Sequence, residues 1–139
     1  MGKISDTKEV SDLLNSWTKD DNGMKAAFTE LVNLLESLEG LSYSFKSRPG
    51  ISYSLRANVE NNGEEKILTM MDVIDDDPEN RWISICFYAE TINDPDEEGD
   101  LIPGGLLGED GYCFDLFDND GNSVSYLKDR ITEAHGKYF

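Results

Sequence analysis

From Leu41 to Val59 the chain changes sides at every residue. Leu41, Tyr43 and Phe45 alternate with Ser42, Ser44 and Lys46; beyond Arg48, Pro49 and Gly50, the apolar set Ile51, Tyr53, Leu55, Ala57 and Val59 alternates with Ser52, Ser54, Arg56 and Asn58. A period of two suits a strand with one buried and one wet face, and excludes a helix, whose period is 3.6. Two such runs joined through Pro-Gly predict an antiparallel hairpin. A four-residue turn over 47–50 would set Phe45 opposite Ser52 and mix the faces. A three-residue loop of Arg48, Pro49 and Gly50 pairs Phe45 with Tyr53 and Tyr43 with Leu55, and leaves Gly50 for a positive φ. The second register is the expected one.

The flanking segments follow other rules. Val10, Leu13, Leu14 and Trp17 recur at helical spacing after Asp6, with Glu9 three residues on as in a capping box, and the turn residues 19–23 end that helix. Phe28, Leu31, Leu35 and Leu38 form the stripe of a second helix, with Val32 and Leu34 at its margins and Gly40 as its C-terminal cap. After the hairpin, Asn61, Asn62 and Gly63 signal a tight turn into a third strand over 66–74. A fourth strand is expected over 81–88 and a fifth over 112–117. Asn122 or Ser123 caps a last helix whose core face is Val124, Leu127, Ile131 and Ala134. Residues 91–111 hold Pro95, Pro103 and several glycines without periodicity, and read as a functional or mobile loop. Its apolar residues Leu101, Ile102, Leu106 and Leu107 are expected to bury against the sheet. The sum is an α+β two-layer sandwich spanning 1–139 as one domain: two N-terminal helices, a five-stranded antiparallel sheet and a C-terminal helix.

Charge narrows the function classes. The 139 residues carry 29 Asp+Glu against 12 Lys+Arg, a formal −17, while an aromatic fraction of 10% argues for a packed core. Such a field repels nucleic-acid phosphates and anionic lipid surfaces and attracts cations and basic protein partners. Nucleic acid and membrane are therefore not expected as partners. No apolar run reaches the roughly 20 residues that span a bilayer, and Met1, Gly2 and Lys3 open neither a signal peptide nor a myristoylation motif, since Asp6 stands where Ser or Thr is wanted. Cys86 and Cys113 are expected to be reduced, inert, buried thiols, and the protein cytoplasmic.

Three constellations bear on chemistry. The wet face of the first hairpin carries Ser42, Ser44, Lys46, Arg48, Ser52, Ser54 and Arg56, a hydroxyl-rich cationic surface suited to a carboxylate or phosphate group. Asp94, Asp96, Glu98 and Asp100 alternate like the start of a calcium loop, which makes Ca²⁺ the one cofactor to consider. Two departures oppose it: Gly105 stands where a bidentate Glu belongs, and no helix precedes the loop. The residues Asp118, Asn119, Asp120 and Gly121 fail the same template, because Leu116 and Leu127 fall at its ends. The glycines of 101–108 match no phosphate-loop spacing. Catalytic chemistry finds no cluster: His135 is the single histidine and sits late in the last helix, and neither cysteine has a basic neighbour in sequence.

In architecture, an antiparallel sheet between end helices, with Trp82 on a middle strand, is similar to frataxin-like domains, and acidic secretion chaperones and immunity proteins are comparable in size and charge. The two N-terminal helices and the long loop depart from the frataxin pattern, and the similarity carries no residue roles. The function expected from the sequence is a non-enzymatic acidic binding domain, with a divalent-cation site at 94–100 and a small-anion site on the serine face as the alternatives.

Overall fold

The computed structural model describes residues 4–139; the reading of Met1, Gly2 and Lys3 lies outside them. Helices α1 (Lys8–Ser16), α2 (Met24–Ser37) and α3 (Gly121–Gly136) pack on one face of a sheet built from β1 (Leu41–Arg48), β2 (Ser52–Asn61), β3 (Glu64–Ile74), β4 (Trp82–Tyr88), β5 (Asp100–Leu106) and β6 (Glu109–Leu116). The sheet is antiparallel throughout, in the order β1-β2-β3-β4-β6-β5. The α+β class stands as expected, with six strands in place of five.

The main core forms where period two meets period 3.6. Tyr53, Leu55, Ala57 and Val59 of β2, Met71 and Val73 of β3, and Ile83, Ile85 and Phe87 of β4 point inward. Against them lie Val10 and Leu13, then Phe28, Leu31, Val32 and Leu35, then Val124, Leu127, Ile131 and Ala134. Val32, expected at the margin of its stripe, is fully inside, and Trp17 caps this layer against Phe28. Burial on this scale, at about 25 cal/mol per Å² of apolar surface, is what holds the two layers together.

The helix caps differ from expectation at both ends of the chain. Asp6 belongs to a short 3₁₀ turn (Ile4–Asp6); Thr7 is the N-cap of α1 and spends its hydroxyl on the Ile4 carbonyl, so the capping box of Asp6 and Glu9 does not form. In α3 the cap is Asp120, whose carboxylate accepts from Asn122 N at 2.9 Å, upstream of the Asn122 or Ser123 alternatives.

The first hairpin keeps its faces and shifts its register. Phe45 lies opposite Leu55 and Tyr43 opposite Ala57, with Arg48 opposite Ser52, so the loop is Pro49, Gly50 and Ile51. Ile51 N–H closes the turn on the Arg48 carbonyl at 2.9 Å, and its side chain stands in solvent. A slip of two residues preserves parity, which is why Tyr43, Phe45 and Tyr53 still share the inner side, with Phe45 and Tyr53 stacked at 6.5 Å.

The segment read as an unstructured loop instead contains β5 and the start of β6, which form a hairpin. Leu106 pairs with Glu109 across Leu107 and Gly108, both at positive φ, the geometry of a two-residue primed turn. Pro103, Gly104 and Gly105 occupy a register shift between Ile102 and Leu106, which erased the alternation from the sequence. Of the four apolar residues expected to bury, only Leu106 does; Leu101, Ile102 and Leu107 are exposed. The remaining stretch is fastened rather than loose: Asn93 donates from N and Nδ2 to the two carboxylate oxygens of Glu133 on α3, each at 3.0 Å.

Cys86 and Cys113 sit directly opposite one another on β4 and β6, Cα atoms 4.1 Å apart, and are joined in a disulfide. This corrects the expectation of reduced thiols, and the argument for a cytoplasmic protein loses its premise with it. No helix among the described residues is long and apolar enough to cross a membrane.

Candidate ligand-binding face

Among the described residues, no helix covers the other side of the sheet. Alternation places Ser42, Ser44, Lys46 and Arg48 of β1 and Ser52, Ser54 and Arg56 of β2 on that open side, so all seven sequence candidates share one surface. Pairing then extends each row across the sheet. Lys46 faces Ser54, Ser54 faces Asp72, Asp72 faces Ser84, and Ser84 faces Asp115. Arg48 and Ser52 lead through Ile74 to Trp82, which stacks on the exposed Phe117 at 4.9 Å. Farther along, Ile67, Tyr88 and Leu106 form a small second cluster with Met70 and Cys86, seeded by the irregularity between Ala57 and Asn58. The open face thus grades from cationic at β1–β2, through hydroxyl and carboxylate, to apolar.

Two adjoining depressions occupy the cationic end. One of about 270 Å³ is lined by Ser44, Phe45, Lys46, Ser54 and Arg56, and one of about 200 Å³ by residues that include Lys46, Arg48, Ser52, Arg56 and Asp72. The ion pairs among the described residues are Lys8 with Asp12, Arg81 with Asp75, Lys128 with Glu30 and Arg130 with Glu133; Lys46, Arg48 and Arg56 enter none. Between them, the Ser54 hydroxyl and one oxygen of Asp72 are shielded from solvent with no hydrogen-bond partner. Both atoms lie beneath the surface, one of them a carboxylate oxygen, so what an approaching group meets there is the unpaired Lys46, Arg48 and Arg56. The sequence alone did not bring in Asp72, although the alternation of Met70, Asp72 and Ile74 carried the signal.

The hairpin that presents this face is anchored by Asp75, just past β3, and Arg81, just before β4. Asp75 accepts from Arg81 Nε at 2.7 Å and from Gly50 N at 2.8 Å, and donates its own N–H to the Ile51 carbonyl at 2.9 Å. The Arg81 guanidinium lies over the rings of Trp17 and Tyr53, at 5.4 and 5.5 Å. Burial by itself would raise the Asp75 carboxyl; the Gly50 N–H, the Arg81 guanidinium and the Tyr53 hydroxyl outweigh it and hold it below the ordinary aspartate range.

The four carboxylates of the acidic loop, Asp94, Asp96, Glu98 and Asp100, have different surroundings. Asp94 takes N–H bonds from Glu98 at 3.0 Å and Gly99 at 2.9 Å, and a very short hydrogen bond from the Tyr126 hydroxyl. Burial pushes its carboxyl up, but these donors outweigh that and leave it lowered. Both oxygens are therefore committed to folding the loop onto α3. Asp96 and Glu98 instead line a cleft of about 280 Å³ with Phe114, Asp115, Asp120 and Tyr126 among its other walls, while Asp100 is exposed at the start of β5. Among the described residues no three His, Cys, Asp or Glu side chains are gathered as a metal would need. His135 is also committed: Nε2 bonds the Glu39 carbonyl at 2.8 Å and its ring stacks on Phe139 at 4.4 Å.

Comparison with known protein families, with curated proteins and with solved structures finds no significant match.

Proposed function

We propose that this chain is a non-catalytic binding module whose ligand surface is the hydroxyl- and cation-bearing part of the open sheet face, taking a carboxylate or phosphate group. The observation that carries the reading is the cluster of Lys46, Arg48 and Arg56, unpaired among the described residues of a chain with 29 acids, lining two adjoining depressions with Ser44 and Ser52. Arg offers a planar fork to a carboxylate or phosphate, Lys a mobile point charge, and Ser a short-range donor. The chain's overall field opposes an incoming anion at long range, but at physiological salt it decays over roughly 8 Å, so contact-distance cations decide the outcome. Calorimetry with citrate and inorganic phosphate at 150 mM salt tests this: saturable binding that Arg56→Gln and Lys46→Gln each weaken severalfold is expected. Absence of heat with both anions at millimolar concentration would dismiss it.

A second reading, a basic protein partner, draws on the formal charge of −17 and on the cleft whose carboxylates Asp96, Glu98, Asp115 and Asp120 stand around Phe114, Leu116 and Leu127. Such a floor suits the aliphatic stem of a Lys or Arg and such a rim its head. Salt-sensitive binding of a Lys-rich peptide that Asp96→Asn and Glu98→Gln abolish supports it; binding indifferent to both substitutions removes it. The calcium alternative at 94–100 would have to recruit Asp94 away from Tyr126, Glu98 and Gly99, and calorimetry with CaCl₂ measures whether it does.

A further inference from the structure

The sheet has two edges, and they are treated differently. At β5 the edge is interrupted by Pro103, by Gly104 at positive φ and by the register shift before Leu106, devices that stop another strand from pairing there. At β1 the edge runs for eight residues in unbroken register with β2, without proline or bulge. Among the described residues, no main-chain hydrogen bond joins Leu41–Ser47 to anything except β2. The outward-facing N–H and C=O groups of β1 therefore form an unused ladder, and it borders the anion face directly, since Lys46 and Arg48 are its own side chains. On the other side of the same strand, Tyr43 and Phe45 are only half buried and would gain cover from a neighbour.

We infer that β1 receives an extended acidic segment of a partner protein, added as a seventh strand, with carboxylates at alternate positions opposite Lys46 and Arg48 and apolar residues over Tyr43 and Phe45. The inference rests on the anion-site reading above and names the source of the anionic groups. Strand addition supplies affinity through the main chain and specificity through every second side chain. Directly opposed residues of paired strands lie about 4.5–5.5 Å apart at Cβ, within reach of a Lys or Arg and a Glu. A segment whose acids and apolar residues alternate matches both faces of β1 at once, whereas one with the same residues in blocks matches neither. Local charge complementarity selects this occupant over a second copy of the chain, whose own β1 would bring another Lys46 and Arg48 and no carboxylate to the same edge.

Fluorescence polarisation with the full chain tests this, using a labelled eight-residue peptide of alternating Glu and Val. Three comparisons accompany it: four Glu followed by four Val, the alternating peptide with N-methyl groups on every second amide in either phase, and free glutarate by calorimetry. The inference expects the alternating peptide to bind at least tenfold more tightly than the block peptide, one N-methylation phase to weaken it at least tenfold, and Lys46→Gln with Arg48→Gln to weaken it severalfold. Glutarate binding together with indifference to N-methylation keeps the anion site and overturns the strand addition. Failure of glutarate and peptide alike overturns both. Sedimentation showing a dimer that the alternating peptide does not dissociate assigns the edge to a second copy and overturns the proposed occupant.

Discussion

Arg81 and Asp75 form an ion pair whose N–O distance is 2.7 Å, with side chains only 4% and 3% exposed. The pair does more than neutralise itself. Through Gly50 N and the Ile51 carbonyl it grips the tip of the first hairpin, and through the stacking of Arg81 on Trp17 and Tyr53 it ties that tip to the helical layer. The cationic face is therefore held at one end by a buried charge and at the other by the sheet.

Removing one member of such a pair strands the other without water. Arg81→Leu is expected to lower the unfolding free energy by about 3–5 kcal/mol. Because the Asp75 carboxyl is lowered in the folded state, its contribution is complete above the ordinary aspartate range and is lost as pH falls through the folded value. Urea unfolding at pH 6 and pH 3 should show a larger loss in the wild type than in Asp75→Asn.

Tyr43 reports on the opposite end of the pH scale. Its hydroxyl donates to the Leu35 carbonyl at 2.8 Å at the end of α2, and burial, reinforced by Glu36, pushes its pKa up to about 12. A raised phenol stabilises the fold fully below pH 10, and the contribution disappears between about pH 10 and 12. Tyr43→Phe should cost about 0.5–1.5 kcal/mol at neutral pH and make guanidinium unfolding less sensitive to pH across that alkaline window.

Leu107 holds φ at 52° in a turn where Gly108 follows at 86°. A branched side chain in the left-handed region costs on the order of 1–2 kcal/mol, and Asn-Gly is the pair that this turn type favours. Leu107→Asn is expected to raise stability by about 1 kcal/mol while removing an exposed leucine, with the thermal midpoint as the readout.

The disulfide of Cys86 and Cys113 closes a loop of sequence separation 27. Loop-closure entropy puts its contribution at about 3–4 kcal/mol. Denaturant midpoints with and without reductant, and for the Cys86→Ser, Cys113→Ser double variant, should differ accordingly, and the native protein should show no reactive thiol.

What was legible in the sequence follows the range of the forces involved. The faces of β1 and β2 could be read because alternation is local, and so all seven residues of the candidate face came out on one side. Their register could not, because both three-residue loops keep Tyr43, Phe45 and Tyr53 inward; the observed loop is the one that Asp75, 25 positions from Gly50, holds with its carboxylate on Gly50 N and its own N–H on the Ile51 carbonyl. Strand β5 was hidden by Pro103, Gly104 and Gly105, whose irregular backbone breaks the period that reveals a strand. The bonds of Asp94 were hidden for a related reason. Spacing shows which carboxylates are neighbours, but not that Tyr126, 32 residues away, donates to this one. Cys86 and Cys113 likewise met only once β4 and β6 were known to be adjacent.

The central claim is that the open face at β1–β3 is the ligand surface. Amide chemical-shift mapping during a citrate titration addresses it directly, because every region of the chain is read at once. The account predicts saturable shifts concentrated at residues 42–56 and at Asp72, with the cleft around Asp96 and Asp120 unmoved. Shifts confined to that cleft, or none at any site up to millimolar citrate, would contradict it.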